Sequence, residues 1–282
     1  MMNEDDLGLA LSLARRAHRR AKQPREPLSV HSKEDGTPVT DLDRGIEIEL
    51  LDVIASARPA DAVLGEEFGS HVGSSRRWVI DPIDGTAGLT RGSPVWATLI
   101  ALQVDEKTNV AVVSAPGLER IWWASAGAGA WTARTAEDGT VVQARQCGVS
   151  QVDSLGEAHF SFSSPWSWAE HGRHTALTEL TRQVRWTRGF GDFWSHMLVA
   201  EGVCDVSAEP SVALWDVAAV ELVVREAGGR VTALDGTSDG PGFLCTNGRL
   251  HEEVVDVLQG DADPLPLATR IDQLEEGTRP WP

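Results

Sequence analysis

Residues 78–86 read Trp-Val-Ile-Asp-Pro-Ile-Asp-Gly-Thr. A short apolar run delivers two carboxylates, Asp81 and Asp84, around a rigid Pro82-Ile83 corner, and Gly85 and Thr86 follow at once. Carboxylate oxygens suit hard divalent cations. Magnesium takes one or two of them from a segment and completes its shell with water and substrate phosphate. Glycine lets a ligand approach the backbone closely, and the free N–H groups of a helix start can hold phosphate oxygens. Three further acidic clusters stand elsewhere: Gly65-Glu66-Glu67-Phe68-Gly69, Thr40-Asp41-Leu42-Asp43 and Trp215-Asp216. Taken singly, each has an ordinary explanation. An acid at a helix start is a cap, and acids between glycines make solvated turns. Taken together they point to metal-assisted hydrolysis of a phosphate ester. Two cations about 4 Å apart can hold both the attacking and the leaving oxygen. Thr86 is the hydroxyl placed to orient the attacking water.

The elements that must position these acids follow from periodicity. Leu7, Leu11, Ala14, Ala17 and Ala21 mark a helix over 4–22, with arginines on its other face. The proline-broken segment 24–38 reads as a loop. Ile46, Leu50 and Ile54 mark a helix over 41–57. Strands are predicted over 78–81, 95–104, 109–114, 120–124 and 129–132, and a polar stretch near 134–148 separates two halves. In the second half a strand is expected over 158–162 and a short one over 243–246. Helices are expected over 170–182, 193–202, 215–227 and 250–258, the third of these closed by Gly228-Gly229. The pattern is layered α+β, two halves with a cleft between them: 1–145 carrying most of the acids, 146–262 completing the site, and an acidic tail over 263–282.

Composition narrows the function classes. The chain has 282 residues and a formal net charge of -17. That field repels nucleic acid and anionic membranes. It also repels a phosphorylated substrate, so bound cations become obligatory for a phosphatase. The three cysteines, Cys147, Cys204 and Cys245, show no zinc-ligand spacing and no disulfide pattern, and read as small buried hydrophobes. No run approaches membrane-spanning length, and the N-terminal stretch lacks a signal-peptide core. A cytoplasmic location is expected. Eleven tryptophans with no tyrosine is an unusual composition; most of them are read here as core or pocket walls.

Asp81-Pro82-Ile83-Asp84-Gly85-Thr86, the Gly65-Glu66-Glu67 turn, and Trp215-Asp216-Val217-Ala218-Ala219 running to Glu226-Ala227-Gly228-Gly229 resemble the motifs of the inositol monophosphatase-like family of magnesium-dependent phosphatases. Lys33 to Thr40 resembles that family's mobile metal-site loop. The resemblance spans roughly residues 5–260. It implies a layered αβαβα sandwich of the inositol monophosphatase/fructose-bisphosphatase type and two or three Mg2+ per site. By it, Glu66 and Asp81 hold the first metal with the Ile83 carbonyl, and Asp81, Asp84 and Asp216 hold the second. A third, weaker metal would bind through Glu66. Asp43 pairs with Thr86 to polarise the water, so that Thr86, Asp43 and Glu66 form the catalytic set. Gly85 and Thr86 amides contact phosphate, with Glu67 and Asp41 nearby in support. A homodimer and inhibition by lithium are further family expectations. One departure stands out: after Thr86 the chain reads Ala87-Gly88-Leu89-Thr90, where the family carries a polar residue and then Asn-Phe, and Gly88 weakens the helix that follows.

A finer resemblance lies in Arg91 to Ile100 and in Gly191-Asp192-Phe193-Trp194-Ser195-His196, which are similar to the bacterial histidinol-phosphatases of the family. Histidinol phosphate carries an ammonium and an imidazole, and Asp192 with Glu209 could hold the cation through charge-assisted hydrogen bonds, with Arg188 at the same wall. The expected activity is hydrolysis of L-histidinol phosphate in histidine biosynthesis. The alternatives are the same chemistry on inositol phosphate or another small phosphate monoester, and a non-catalytic regulatory member of the fold. A nucleotide bisphosphate is disfavoured by the lack of a basic cluster for a second phosphate. His196 is read as a packing residue, and His159, His171 and His174 as surface residues. Ser161 to Pro165 is read equally as a strand end or as the lip of the substrate mouth.

Overall fold

The computed structural model describes residues 4–23, 28–33, 36–71 and 74–260. The acidic tail over 263–282, and Glu34 and Asp35 of the loop compared with the family's metal-site loop, lie outside the described residues. In the first half the order is α1 (Glu4–Lys22), β1 (Val30–Ser32), β2 (Pro38–Thr40), α2 (Asp41–Ala57), β3 (Ala62–Gly65), β4 (Gly69–His71), β5 (Arg76–Asp84), α3 (Thr86–Leu89), β6 (Ala97–Val104), β7 (Lys107–Ala115), β8 (Arg120–Ser125), β9 (Ala130–Thr135) and β10 (Val141–Gln146). In the second half it is β11 (His159–Phe162), α4 (Pro165–Glu170), α5 (His174–Gln183), β12 (Trp186–Arg188), α6 (Asp192–Ala200), β13 (Val206–Glu209), α7 (Leu214–Glu226), β14 (Arg230–Thr232), β15 (Phe243–Thr246) and α8 (His251–Leu258).

Strands β10-β9-β8-β7-β6-β5-β3-β4 form one sheet and β12-β11-β13-β15-β14 another. The period of two decides what each face meets. Trp78, Ile80, Ile100, Leu102, Val110 and Val112 share a cluster with α1 and α2 on one side of the large sheet. Val79, Leu99, Ala101, Ala111 and Val113 point the other way, into a cluster with α6 and α7 that also takes Phe243 and Cys245 of the small sheet. Leu244 faces the opposite side, where Phe160, Val206 and Ala208 pack with residues of α5 and α8. The five layers are therefore helices, sheet, helices, sheet, helices. Strands buried on both faces read as continuous apolar runs, which is why β5 to β8 stand out in the sequence. Helix α7 lies between the two sheets, so Ala218, Ala219, Val220, Leu222, Val223 and Val224 are all buried and its apolar surface goes most of the way round. Its end is a Schellman turn: Gly228, at φ 92°, donates its N–H to the Arg225 carbonyl, and Gly229 donates to that of Val224.

Some expectations need correction. The segment read as a loop over 24–38 contributes a two-stranded hairpin, β1 with β2. The polar stretch near 134–148 contains β10, an exposed edge strand with a bulge between Val142 and Arg145. Polar side chains suit such an edge and hide the strand pattern. The helix expected over 170–182 is α5, which starts only at His174; an unexpected short helix, α4, ends at Glu170, and Gly172 at φ 66° lies between them. Of the tryptophans, Trp78, Trp122 and Trp168 are fully buried, but Trp131, Trp166 and Trp186 are exposed. The three cysteines are free and buried.

Candidate active site

Residues three apart on a regular strand face opposite sides of the sheet. Asp81 and Asp84 share a face because β5 bulges between them. Asp81 pairs with Leu99 and Asp84 with Ala97, so Pro82 and Ile83 stand opposite Thr98 alone. The Thr98 hydroxyl donates to the Pro82 carbonyl at 2.8 Å, and Ile83 turns into the core on the α2 side. Proline fits here because a bulge does not need its missing N–H. Both aspartates therefore look toward α6 and α7. Gly85, at φ 89°, then reverses the chain, and α3 follows as a single turn from Thr86 to Leu89. A Cβ on Gly85 would lie 3.1 Å from the Val95 carbonyl oxygen and 3.3 Å from Asp192 Oδ2. The helix that Gly88 was expected to weaken is thus one turn long.

Helix α2 brings the next acid. Its N-cap is Thr40, whose hydroxyl accepts from Leu42 N at 3.2 Å, while Asp43 Oδ2 accepts from Thr40 N at 3.0 Å and from the Thr40 hydroxyl. This capping box fixes the Asp43 carboxylate and leaves Oδ1 free to face Thr86. The Thr86 hydroxyl lies 2.8 Å from Asp43 Oδ1 and 2.8 Å from the Ile83 carbonyl, and its one proton can serve either. The N-terminal turns of two helices of the second half carry Asp192 on α6 and Asp216 on α7. Asp216 Oδ2 accepts from Ala213 N at 2.7 Å, and Asp84 Oδ2 accepts from Phe193 N at 2.6 Å, which ties α6 to the β5 bulge. Asp192 adopts φ 52°, a left-handed conformation uncommon outside glycine and asparagine.

Glu66 and Glu67 follow β3. Lys33 Nζ lies 2.7 Å from Glu66 Oε1 and 2.6 Å from Glu67 Oε1. Burial alone would lower the Lys33 pKa, but its hydrogen bonds to the two glutamates outweigh this and hold it above the usual lysine range. The resemblance of residues 33–40 to a metal-site loop put Lys33 near the acids, but nothing in the sequence indicated its ion pairs with Glu66 and Glu67. Glu47 was silent. It is fully buried on α2, one turn beyond Asp43, and accepts from Glu67 N at 2.9 Å and Phe68 N at 3.0 Å. Its spacing of four from Asp43, on the face that carries Ile46 and Leu50, is the only clue in the chain.

Lys33, Glu66, Asp81, Ile83, Asp84, Gly85, Thr86, Asp192 and Asp216 line one cavity of about 460 Å3. A smaller one of about 100 Å3 adjoins it, with Asp84, Asp192, Glu209, Asp216 and His196 in its wall. Gathering so many carboxylates raises their pKa values. Burial is the largest cause for Asp81 and for Asp84, both held well above the ordinary value; neighbouring acids add to it, chiefly Glu66 and Asp84 for the first, Asp192 and Asp216 for the second. Burial, with Glu209 and Asp216, lifts Asp192 to about 7. Burial, with Glu66 and Glu209, lifts Asp216 to about 6 against the hydrogen bond from Ala213.

The donor set can be tested against a divalent cation. Asp81 Oδ1 is buried with no hydrogen-bond partner, a costly state for a carboxylate unless a cation meets it. The ligand atoms are hard oxygens and the local charge is strongly negative, as magnesium requires. Among the described residues no group of three or more His, Cys, Asp or Glu side chains is drawn close enough to hold a metal as it stands. The acids line a shared cavity, and Glu66 is engaged by Lys33. The residues fit the ion in type and burial, and Glu66 would have to exchange its lysine partner for the cation.

Two other expected placements do not hold. Arg188 lies on the edge strand β12, stacked 5.3 Å over the Trp186 ring, and does not reach the cavity. Asp41 is exposed at the start of α2, with His31 Nε2 at 3.3 Å from its carboxylate. Of the two readings of residues 161–165, the strand end holds at Ser161, which is buried in β11 with its hydroxyl 2.7 Å from that of Ser195. His196 packs as expected: its ring lies edge-on to Phe243, Nδ1 is 2.8 Å from the Ser207 hydroxyl, and Nε2 is 3.4 Å from Glu209 Oε1.

Comparison with known proteins shows the family and the fold. The model of the inositol monophosphatase family matches residues 3–263. The chain is 48% identical over 259 residues to a histidinol-phosphatase of Mycobacterium tuberculosis, covering 90% of this chain and 98% of that one. It is 47% identical over 238 residues to a histidinol-phosphatase of Streptomyces coelicolor, covering 82% and 87%. Among solved structures, the extragenic suppressor protein suhB of Bartonella henselae superposes with a TM-score of 0.80 at 27% identity, covering 90% of this chain and 98% of that one.

Proposed function

This chain belongs to the inositol monophosphatase family of phosphatases, and on that premise we propose that it hydrolyses L-histidinol phosphate to L-histidinol and phosphate with magnesium as its metal. The observation that carries the substrate assignment is the pair Asp192 and Glu209, set in one small cavity beside Asp84 and Asp216. An inositol ring offers only hydroxyls to such a pair. An alkylammonium offers a charge, and a charge-assisted hydrogen bond from it to a carboxylate is about twice as strong as a neutral one. The likeness to two histidinol-phosphatases supports the same reading.

In this reading Glu66, Asp81, Asp84, Asp216 and the Ile83 carbonyl hold the cations. Bound magnesium would supply charge neutralisation at the phosphate and acidify water. The remaining steps belong to the chain. Asp43, fixed by its capping box, accepts the Thr86 proton, so the Thr86 oxygen is left to accept a hydrogen bond from the attacking water and orient it. The backbone N–H groups of Gly85 and Thr86 face the phosphate at a turn that only a left-handed glycine makes without strain. Asp192 and Glu209 fix the far end of the substrate. The water oxygen bonds to phosphorus as the phosphorus–alkoxide bond breaks; the proton that the attacking water sheds passes to solvent, the alkoxide takes one from solvent water, and phosphate departs. A cytoplasmic homodimer completes the reading, as the sequence resemblance implies.

Phosphate release from L-histidinol phosphate and from inositol 1-phosphate, with magnesium and with EDTA, tests it. The expected result is strong preference for the amine-bearing substrate and loss of turnover in EDTA. Better turnover of inositol 1-phosphate would overturn the substrate, and full activity in EDTA would overturn the chemistry.

A further inference from the structure

We propose that Glu47 is a positioning residue for the metal site: it does not touch the cation or the substrate, but sets the metal affinity by holding the turn that carries Glu66. The proposal rests on the metal-dependent reading above.

The geometry is specific. Gly65 ends β3, and the chain turns through Glu66, Glu67 and Phe68 before β4 begins at Gly69. Glu66 N donates to the Ile80 carbonyl of β5 at 3.2 Å. The next two amides point inward, and each meets one oxygen of Glu47: Glu67 N at 2.9 Å from Oε2 and Phe68 N at 3.0 Å from Oε1. The carboxylate is thus used bidentately by main chain. A buried carboxylate survives in a core only if such donors satisfy it. Gly65 makes room for it, since a Cβ there would fall 1.9 Å from Glu47 Oε1. The glycine is required by space and not by backbone angle.

Helix α2 thus presents two carboxylates one turn apart with separate tasks. Asp43 fixes Thr86, and Glu47 fixes the Glu66 turn. Both are anchored by α2, which packs through Leu42, Ile46, Leu50 and Ile54 onto the large sheet. Residues that orient metal ligands without binding metal commonly change metal affinity by 10- to 100-fold when lost.

Glu47→Gln keeps the volume but replaces one acceptor oxygen by an NH2 that faces an amide N–H. Glu47→Asp keeps the charge but shortens the reach by one methylene. Glu49→Gln, on the same helix in an ion pair with Arg16 and Arg20, is the control. Calorimetric Mn2+ binding, thermal unfolding without metal, and amide exchange at Glu67 and Phe68 are measured on all four proteins. The expected result is a Mn2+ Kd raised roughly tenfold or more in both Glu47 variants and unchanged in the control. Exchange at Glu67 and Phe68 should be faster. The magnesium concentration for half-maximal activity should rise by the same factor as the Kd, with kcat at saturating magnesium within a few-fold of the parent. A folded Glu47 variant that binds Mn2+ like the parent overturns the proposal, even if its melting temperature falls, because the role is then only structural. If Glu47→Gln does not fold, Glu47→Asp decides on the same criterion. Failure of the parent itself to bind Mn2+ would instead overturn the metal-dependent reading.

Discussion

Asp192→Asn asks whether the site recognises an ammonium, and the structure sets the size of the answer. The substitution removes a charge and keeps the shape. It is also nearly free of backbone cost, because asparagine accepts the left-handed φ of 52° that Asp192 adopts. Alanine there would add a strain of roughly 1–2 kcal/mol and confuse the result. A hydrogen bond to a charged group contributes about 1.5–3 kcal/mol, so losing the charge on one of two carboxylates should lower kcat/KM for L-histidinol phosphate by roughly 10- to 150-fold. β-Glycerophosphate, which has no amine, should lose no more than a few-fold. It could even gain, because removing a negative charge beside Asp84 eases the repulsion that raises the Asp84 pKa. The assay is steady-state phosphate release at saturating magnesium and pH 8. At that pH Asp192, lifted to about 7 by burial and by Glu209 and Asp216, is mostly ionised in the free enzyme. Equal losses on both substrates would refute ammonium recognition by Asp192. An unchanged kcat/KM for L-histidinol phosphate would refute it as well.

Two pH effects of opposite sign are expected in protein stripped of metal. Burial and neighbouring acids lift Asp192 to about 7 and Asp216 to about 6 in the folded state, above the unfolded value of 3.8, and hold Asp81 and Asp84 well above it too. The folded state then holds protons that the unfolded chain has shed, so stability falls as pH rises from about 4 to about 7. The melting temperature in EDTA should drop between pH 5.5 and 7.5, and magnesium should flatten the drop; a rise in EDTA over that range would contradict it. His251 acts with the opposite sign. It is buried, with ring nitrogens 3.0 Å from the hydroxyls of Thr246 and Thr232, and burial lowers its pKa from 6.5 to about 4. Its contribution is complete above pH 6.5 and is lost as pH falls toward 4, by up to about 3 kcal/mol. The destabilisation caused by His251→Gln should therefore shrink between pH 7 and pH 4 in denaturant unfolding, and a constant difference would show that His251 is not the titrating group.

Long elements with one buried stripe or two buried faces were legible in the chain. Helix α2 runs from Asp41 to Ala57, the span that periodicity marks, and strand β6 from Ala97 to Val104, inside the predicted 95–104. What stayed hidden were short edges. Strands β12 and β14 have three residues each and take their place from a neighbour's hydrogen bonds, which leave no period in a three-residue window. Arg188 shows the consequence for function. Its number places it near Asp192, but it lies on the edge strand before the Gly191 turn, and the turn sends Asp192 inward while Arg188 folds back on Trp186.

The site itself was legible as a set of residue types and illegible as an arrangement. Asp81 and Asp84, three apart on an unbroken strand, would face opposite layers, and one would be lost in the α2 side of the core. The proline between them is the trace of the solution, since it tolerates the bulge that puts both on one face. The same bulge sends Ile83 into the apolar layer in the place a third acid could not occupy. Once both aspartates face α6 and α7, the first turns of those helices become the natural source of further acids, because a helix start favours negative charge. Asp192 and Asp216 occupy those turns. The positive ends of two helices and the ammonium of Lys33 thus offset part of the repulsion among the acids, yet the pKa values of Asp81, Asp84, Asp192 and Asp216 remain raised. A fold that concentrates this much negative charge, and leaves an oxygen of Asp81 without a partner, is complete only with a cation that the chain does not itself supply.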